Sequence, residues 1–255
     1  PIESCEISIV NNALKNSDLI GIANPVYGGE TPGNVVEFVK NFPLTSPNKV
    51  FILKTAADIV KFNHASSTKI KRILKKKGHD VFYDRIIAMG SNWFYSYEHN
   101  FVKQLYSVVS SKTSHMADEI LNGKRRLYNT SIFLRALCTF LKFGEEKIGA
   151  KIFGKSLYAN SDCTKCGLCE KKCPVNNINI DDKVRFGSQC IMCMRCVYKC
   201  PVKAIKSRVM SFCILKDGYD IKKIISTEYE NERPVDSNTK GYFQHFNEYL
   251  NDESL

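Results

Sequence analysis

The sequence predicts an α/β domain with a mostly parallel sheet, followed by a small α+β domain organised by cysteines. Two observations carry this. Between residues 19 and 89, short apolar runs of strand length alternate with amphipathic helical stretches, the pattern of a parallel sheet covered on both faces. Further on, cysteine recurs in two runs of equal spacing, Cys163-x2-Cys166-x2-Cys169-x3-Cys173-Pro174 and Cys190-x2-Cys193-x2-Cys196-x3-Cys200-Pro201. A chain of 255 residues has room for one medium and one small domain.

Leu19-Ile20-Gly21-Ile22-Ala23 reads as a buried strand ending in the turn Asn24-Pro25-Val26-Tyr27-Gly28-Gly29. A helix with Pro32 in its first turn and an apolar face of Val35, Val36, Phe38 and Val39 follows. Val50-Phe51-Ile52-Leu53 is the second strand, and Thr68 to Lys77 a basic amphipathic helix stopped by Gly78. Val81-Phe82-Tyr83 to Ile87-Ala88-Met89 is again extended. One long helix is expected from about Tyr97 to Leu121, and Lys124-Arg125-Arg126 closes the domain. Ile132 to Phe143 is apolar but carries Arg135 and Lys142; at about a dozen residues it reads as a connecting helix, too short for a bilayer. The expected division is residues 1–127 for the sheet domain, 128–157 for the connection, 158–210 for the cysteine domain and 211–255 for a polar tail, with a short helix near Tyr242 to Leu250.

Three thiolates two residues apart on a tight loop can wrap one face of an iron–sulfur cube, and a proline after the last cysteine biases that residue towards an extended backbone. Zinc also uses C-x2-C pairs, but a structural zinc site takes four ligands from two separated pairs, which these runs do not form. Disulfides belong mainly to small secreted domains. The runs are also an internal repeat at an offset of 27 residues, in which Lys172 matches Lys199, Val175 matches Val202 and Ile178 matches Ile205. This spacing is that of bacterial-type ferredoxins with two 4Fe-4S clusters. The resemblance implies that Cys163, Cys166, Cys169 and Cys200 hold one cluster and Cys173, Cys190, Cys193 and Cys196 the other. Lys172, Lys199, Arg195 and Lys203 are expected to raise the cluster potentials above those of an acidic ferredoxin. Cys5, Cys138 and Cys213 fall outside the spacing and read as small buried residues.

The turn around Tyr27, with Thr31-Pro32-Gly33, Lys54-Thr55-Ala56-Ala57, Asn63-His64-Ala65-Ser66-Ser67 and Met89-Gly90-Ser91-Asn92-Trp93, resembles the flavin-facing loops of flavodoxin-like proteins. Together with Lys151 to Ile205, these stretches resemble a family of flavodoxin–ferredoxin fusion proteins of anaerobes. The resemblance implies a flavodoxin-like sheet, an FMN cofactor and electron transfer. Carried over to this chain, the FMN contacts are Tyr27, Gly28, Gly29, Thr55, Ala56 and Trp93; the alternative roles are turn geometry for the glycines, a strand end for Thr55 and core filling for Trp93. His64 reads as a polar loop residue. A T-G-N-T-type phosphate loop and the first strand of the usual 2-1-3-4-5 order are missing, so the sequence is expected to be incomplete at its N-terminus, the alternative being a domain that has dispensed with FMN and rebuilt its sheet.

The formal charge of +11 falls to about +7 once each oxidised cluster with its four thiolates contributes about two negative charges. The basic stretch Lys69, Lys71, Arg72, Lys75, Lys76, Lys77 flanks Ile70, Ile73 and Leu74 at helical spacing and reads first as a solvated helix face. Its second reading is a docking face for an acidic redox partner. No nucleic-acid module, membrane span or secretory segment is recognised, and reduced thiols favour the cytoplasm. The expected function is that of an electron carrier, with no catalytic residues. The alternatives are a flavin-dependent oxidoreductase using NAD(P)H or a quinone-like acceptor, for which no G-x-G-x-x-G fingerprint is present, and an iron–sulfur redox sensor.

Overall fold

The computed structural model describes residues 17–42, 48–128, 131, 148–230 and 234–252. Ile132 to Phe143, Cys5 and Cys138 lie outside the described residues.

Three parallel strands, β1 (Leu19–Pro25), β2 (Lys49–Ala56) and β3 (Asp80–Ala88), pair in the order β1-β2-β3. Helix α1 (Gly33–Lys40) and α3 (Thr68–Lys76) cover one face, where Ile20, Ile22, Val50 and Ile52 meet Val36, Val39, Ile70 and Leu74. Between β2 and α3 lie a single turn, α2 (Lys61–His64), and a 3-10 turn at Ala65–Ser67. The basic helix keeps Ile70 and Leu74 inside and Lys69, Arg72, Lys75 and Lys76 exposed, as an amphipathic surface helix should.

The expected long helix is two, α4 (His99–Ser107) and α5 (Val109–Leu121), divided at Val108. Their apolar stripes serve different cores. Phe101, Val102 and Leu105 of α4 pack beyond the end of the sheet, whereas Met116 and Ile120 of α5 pack with Phe82, Tyr83 and Ile87 on its second face. One straight rod could not point both stripes inward.

The segment expected to be a polar tail is a packed part of the fold. Helices α9 (Ile221–Ser226) and α10 (Gln244–Asn251) bring Ile224, Phe246 and Tyr249, with Val235, into the core built on α4. Tyr249 accepts a hydrogen bond from the Ala88 N–H at 3.0 Å, and Gln104 exchanges two with the backbone of Val235, at 2.9 and 2.8 Å. These apolar residues are scattered among acidic ones, so composition alone made the stretch look solvated.

In the cysteine-rich part the sequence repeat is a structural repeat. Helix α6 (Ala150–Ser156) leads into β4 (Leu157–Ala159); α7 (Leu168–Lys171), β5 (Ile178–Ile180), β6 (Val184–Phe186), α8 (Arg195–Tyr198) and β7 (Ile205–Ser207) follow. Shifting β4, α7 and β5 by 27 residues gives β6, α8 and β7. The two halves interlock, because β4 pairs antiparallel with β7 and β5 with β6. Left-handed residues repeat as well: Lys165 and Met192 at φ +53° and +52°, Gly167 and Met194 at +78° and +58°, Asn176 and Lys203 at +48° and +50°. Non-glycine residues pay a conformational cost there, so the cysteine loops are held in shape by something beyond local preference.

Candidate functional site

Two spaces in this part are lined by cysteine. One has Cys163, Cys166, Cys169 and Cys200 around it, closed by Leu168, Ile180, Val184, Pro201 and Ile205. The other has Cys173, Cys190, Cys193 and Cys196, closed by Phe153, Leu157, Pro174, Ile178 and Met194. Each is thus formed by three cysteines of one run and the pre-proline cysteine of the other. Among the described residues no three His, Cys, Asp or Glu side chains converge as the ligands of a single metal ion would.

Backbone N–H groups point at the sulfurs in the same repeat. Asn177 donates to Cys173 Sγ at 3.2 Å and Ala204, its counterpart, to Cys200 Sγ at 3.3 Å, while Met192 donates to Cys190 Sγ at 3.3 Å. Such bonds stabilise thiolate over thiol. In the free thiols burial dominates; it raises Cys193 and Cys196 and pushes Cys190 up to about 11. Were an iron–sulfur core bound, these sulfurs would hold it as thiolates, its positive charge outweighing the cost of burial. Gly154 of α6 permits the close approach of the second loop: a Cβ there would meet Cys190 Cβ at 2.6 Å and the Gly187 carbonyl at 2.7 Å.

A third cavity, of about 340 Å³, opens at the C-terminal ends of the parallel strands, where α/β sheets bind their ligands. Its size lies at the lower end of small-molecule pockets. Tyr27, Gly28, Thr55, Ala56 and Trp93 line it, as do Met89, Tyr219 and, from the second cysteine loop, Met192. Gly29 does not; its neighbour is Phe62, whose ring a Cβ would meet at 1.8 Å. With φ of +54° and +75° at Gly28 and Gly29, and backbone bonds of 3.0 Å in both directions between Tyr27 and Glu30, this is a tight turn that only residues without a Cβ form cheaply. Tyr27 has its hydroxyl pushed up to about 12, first by burial and then by the nearby Cys193, with Arg195 opposing. Trp93 is positioned from both parts of the molecule. Ser91 Oγ donates to the Trp93 carbonyl at 2.8 Å, Tyr198 of α8 donates its hydroxyl hydrogen to the Asn92 carbonyl at 2.9 Å, and Phe94 N–H donates to the Cys213 carbonyl at 3.2 Å. Cys213 is fully buried beneath this loop.

Behind the turn lies a buried charge cluster. Lys54, expected just after the strand, is inside β2 with its side chain fully buried, and its ammonium sits 2.7 Å from the carboxylate of Asp84, also fully buried. Lys71 pairs with the same carboxylate at 2.7 Å, and Ser67 donates to it at 2.5 Å. Lys54 also donates to the His64 carbonyl at 3.2 Å. The cluster therefore clamps residues 64–67 to the sheet, and Ser66 in turn holds Thr31 through its carbonyl, at 3.1 and 3.2 Å, next to the cavity turn. His64 is only 7 % exposed and stacks on Tyr128 at 3.7 Å, so it is not the polar loop residue expected. Burial, then Lys54, lowers its pKa to about 4, leaving it neutral at pH 7. No sequence motif marks Asp84; the charged pair Asp84-Arg85 between Val81-Phe82-Tyr83 and Ile86-Ile87-Ala88 was the only signal.

No curated protein and no solved structure matches the chain, and no described helix is long and apolar enough to cross a membrane. Residues 162–205 match the family model described as a 4Fe-4S dicluster domain, and this region is therefore a ferredoxin-like 4Fe-4S domain.

Proposed function

We propose that the chain is an electron-transfer protein with two 4Fe-4S centres, one held by Cys163, Cys166, Cys169 and Cys200 and the other by Cys173, Cys190, Cys193 and Cys196. The observation that carries this reading is the pair of four-cysteine spaces with exchanged fourth ligands, each with N–H groups aimed at sulfur. Iron–sulfur centres exchange single electrons, and the protein's part is to set their potential by hydrogen bonds, burial and local charge.

The sheet domain is read as flavodoxin-like, and its cavity as the place of a flavin ring such as that of FMN. Tyr27 and Trp93 supply aromatic walls, and Gly28, Thr55 and Ala56 let the ring lie near backbone. Among the described residues no lysine or arginine lines the cavity, so the residues named hold the ring and not its phosphate. A bound flavin would supply two-electron chemistry beside one-electron carriers.

Trp93 is the single tryptophan of the sequence and reports on the cavity directly. Titrating the anaerobically reconstituted protein with FMN is expected to quench Trp93 emission saturably, and Gly28→Val, which fills the turn, to weaken binding by roughly tenfold or more, about 1.4 kcal/mol. Unchanged Trp93 emission up to millimolar FMN would remove the flavin from the account and leave the iron–sulfur reading standing.

A further inference from the structure

The two cysteine loops share one backbone and face different surroundings. Lys165 and Met192 are counterparts 27 residues apart with nearly equal φ. Lys165 is exposed and stands beside Cys166, the exposed cysteine among the eight of the two runs. Met192 is 4 % exposed and lines the cavity, while its own N–H bonds Cys190. At the next left-handed position Gly167 is matched by Met194, which is 1 % exposed. The repeat would make the loops equivalent. Packing against the sheet domain makes one internal and leaves the other at the surface.

We propose that electrons cross this protein in a fixed order, between a flavin in the cavity and the Cys190 centre, then the Cys163 centre, then an acidic redox partner docked at the Lys165–Cys166 face. The proposal rests on the two-centre and cavity readings given above. Each hop moves one electron and no atom: one centre is oxidised by one electron as the next is reduced by one. Electron tunnelling weakens steeply with distance, so the loop touching the cavity exchanges with it first and the loop touching solvent exchanges with the partner. The partner's sign follows from charge. Residues 158–210 hold ten basic and four acidic side chains, and two centres at about −2 each still leave the domain near +2. Lys171, Lys172 and Lys203 are exposed along with Lys165.

The outlet is tested with dithionite-reduced, desalted holoprotein and ferricyanide, an anionic acceptor that takes one electron to become ferrocyanide. Lys165→Glu is expected to slow oxidation roughly fivefold at low salt, with the difference shrinking as salt is added. Lys75→Glu, the same charge change on the exposed face of α3, is expected to leave the rate within about twofold. The inlet is tested by electron paramagnetic resonance under excess dithionite: FMN should alter the signal that Cys193→Ser perturbs and leave the one that Cys166→Ser perturbs. Equal slowing by Lys75→Glu, or an FMN effect on the Cys163 centre, would overturn the order. FMN that quenches Trp93 yet changes neither signal would overturn it too, whereas FMN that leaves Trp93 emission unchanged would overturn the cavity reading and the inlet with it.

Discussion

Replacing Cys200 with alanine is expected to remove the centre proposed for the first cysteine run, although Cys200 stands in the second. Iron is expected to fall from about eight to about four per chain. The centre that survives is expected to depend on Cys193: adding Cys193→Ala should abolish it, whereas adding Cys163→Ala should change little further. Cys173→Ala is expected to give the mirror result. The effect is large because the pre-proline cysteine of each run lines the other run's space, and because β4 with β7 and β5 with β6 cross-link the halves there. Iron analysis and electron paramagnetic resonance of the four variants check it. A Cys200→Ala protein whose remaining signal needs Cys163 would contradict the exchanged ligand sets.

Asp84→Ala is expected to destabilise the sheet domain by about 3–5 kcal/mol, since it strands the fully buried Lys54 ammonium and deprives Lys71 of its partner. Urea unfolding followed by far-UV circular dichroism measures this. Burial alone would lower the Lys54 pKa and raise that of Asp84; the pairing opposes both, and Asp84 ends below the usual carboxylate range. Replacing both partners together, Lys54→Met with Asp84→Leu, is expected to recover most of the loss, because an apolar pair of similar volume carries no desolvation penalty. If Asp84→Ala alone were neutral, the ammonium would be finding water, and the clamp on residues 64–67 would not be what sets the cavity turn.

The cysteine-rich part was legible because its chemistry dictates spacing: two C-x2-C-x2-C-x3-C-P runs and a 27-residue repeat reappear as matched helices, strands and left-handed residues. The three strands were legible as apolar runs and the basic helix from its period, although the first strand, expected to be buried, leaves Leu19, Gly21 and Ala23 exposed on one face. The break at Val108 was not, since a helical repeat persists through it and only tertiary packing sends the two stripes to different cores. Phe246 and Tyr249 were hidden by acidic neighbours, which report solvent exposure on one side of a segment and say nothing of the other. Met192 was the least visible. It reads as a spacer between ligands, and its contact with the cavity depends on how two separately patterned parts meet.

Iron and acid-labile sulfide, counted per chain after anaerobic reconstitution, test the central claim most directly. Two 4Fe-4S centres predict about eight of each. About four of each would mean that one four-cysteine space stays without a cluster, and bound metal without sulfide would show the cysteines to be ligands of single ions.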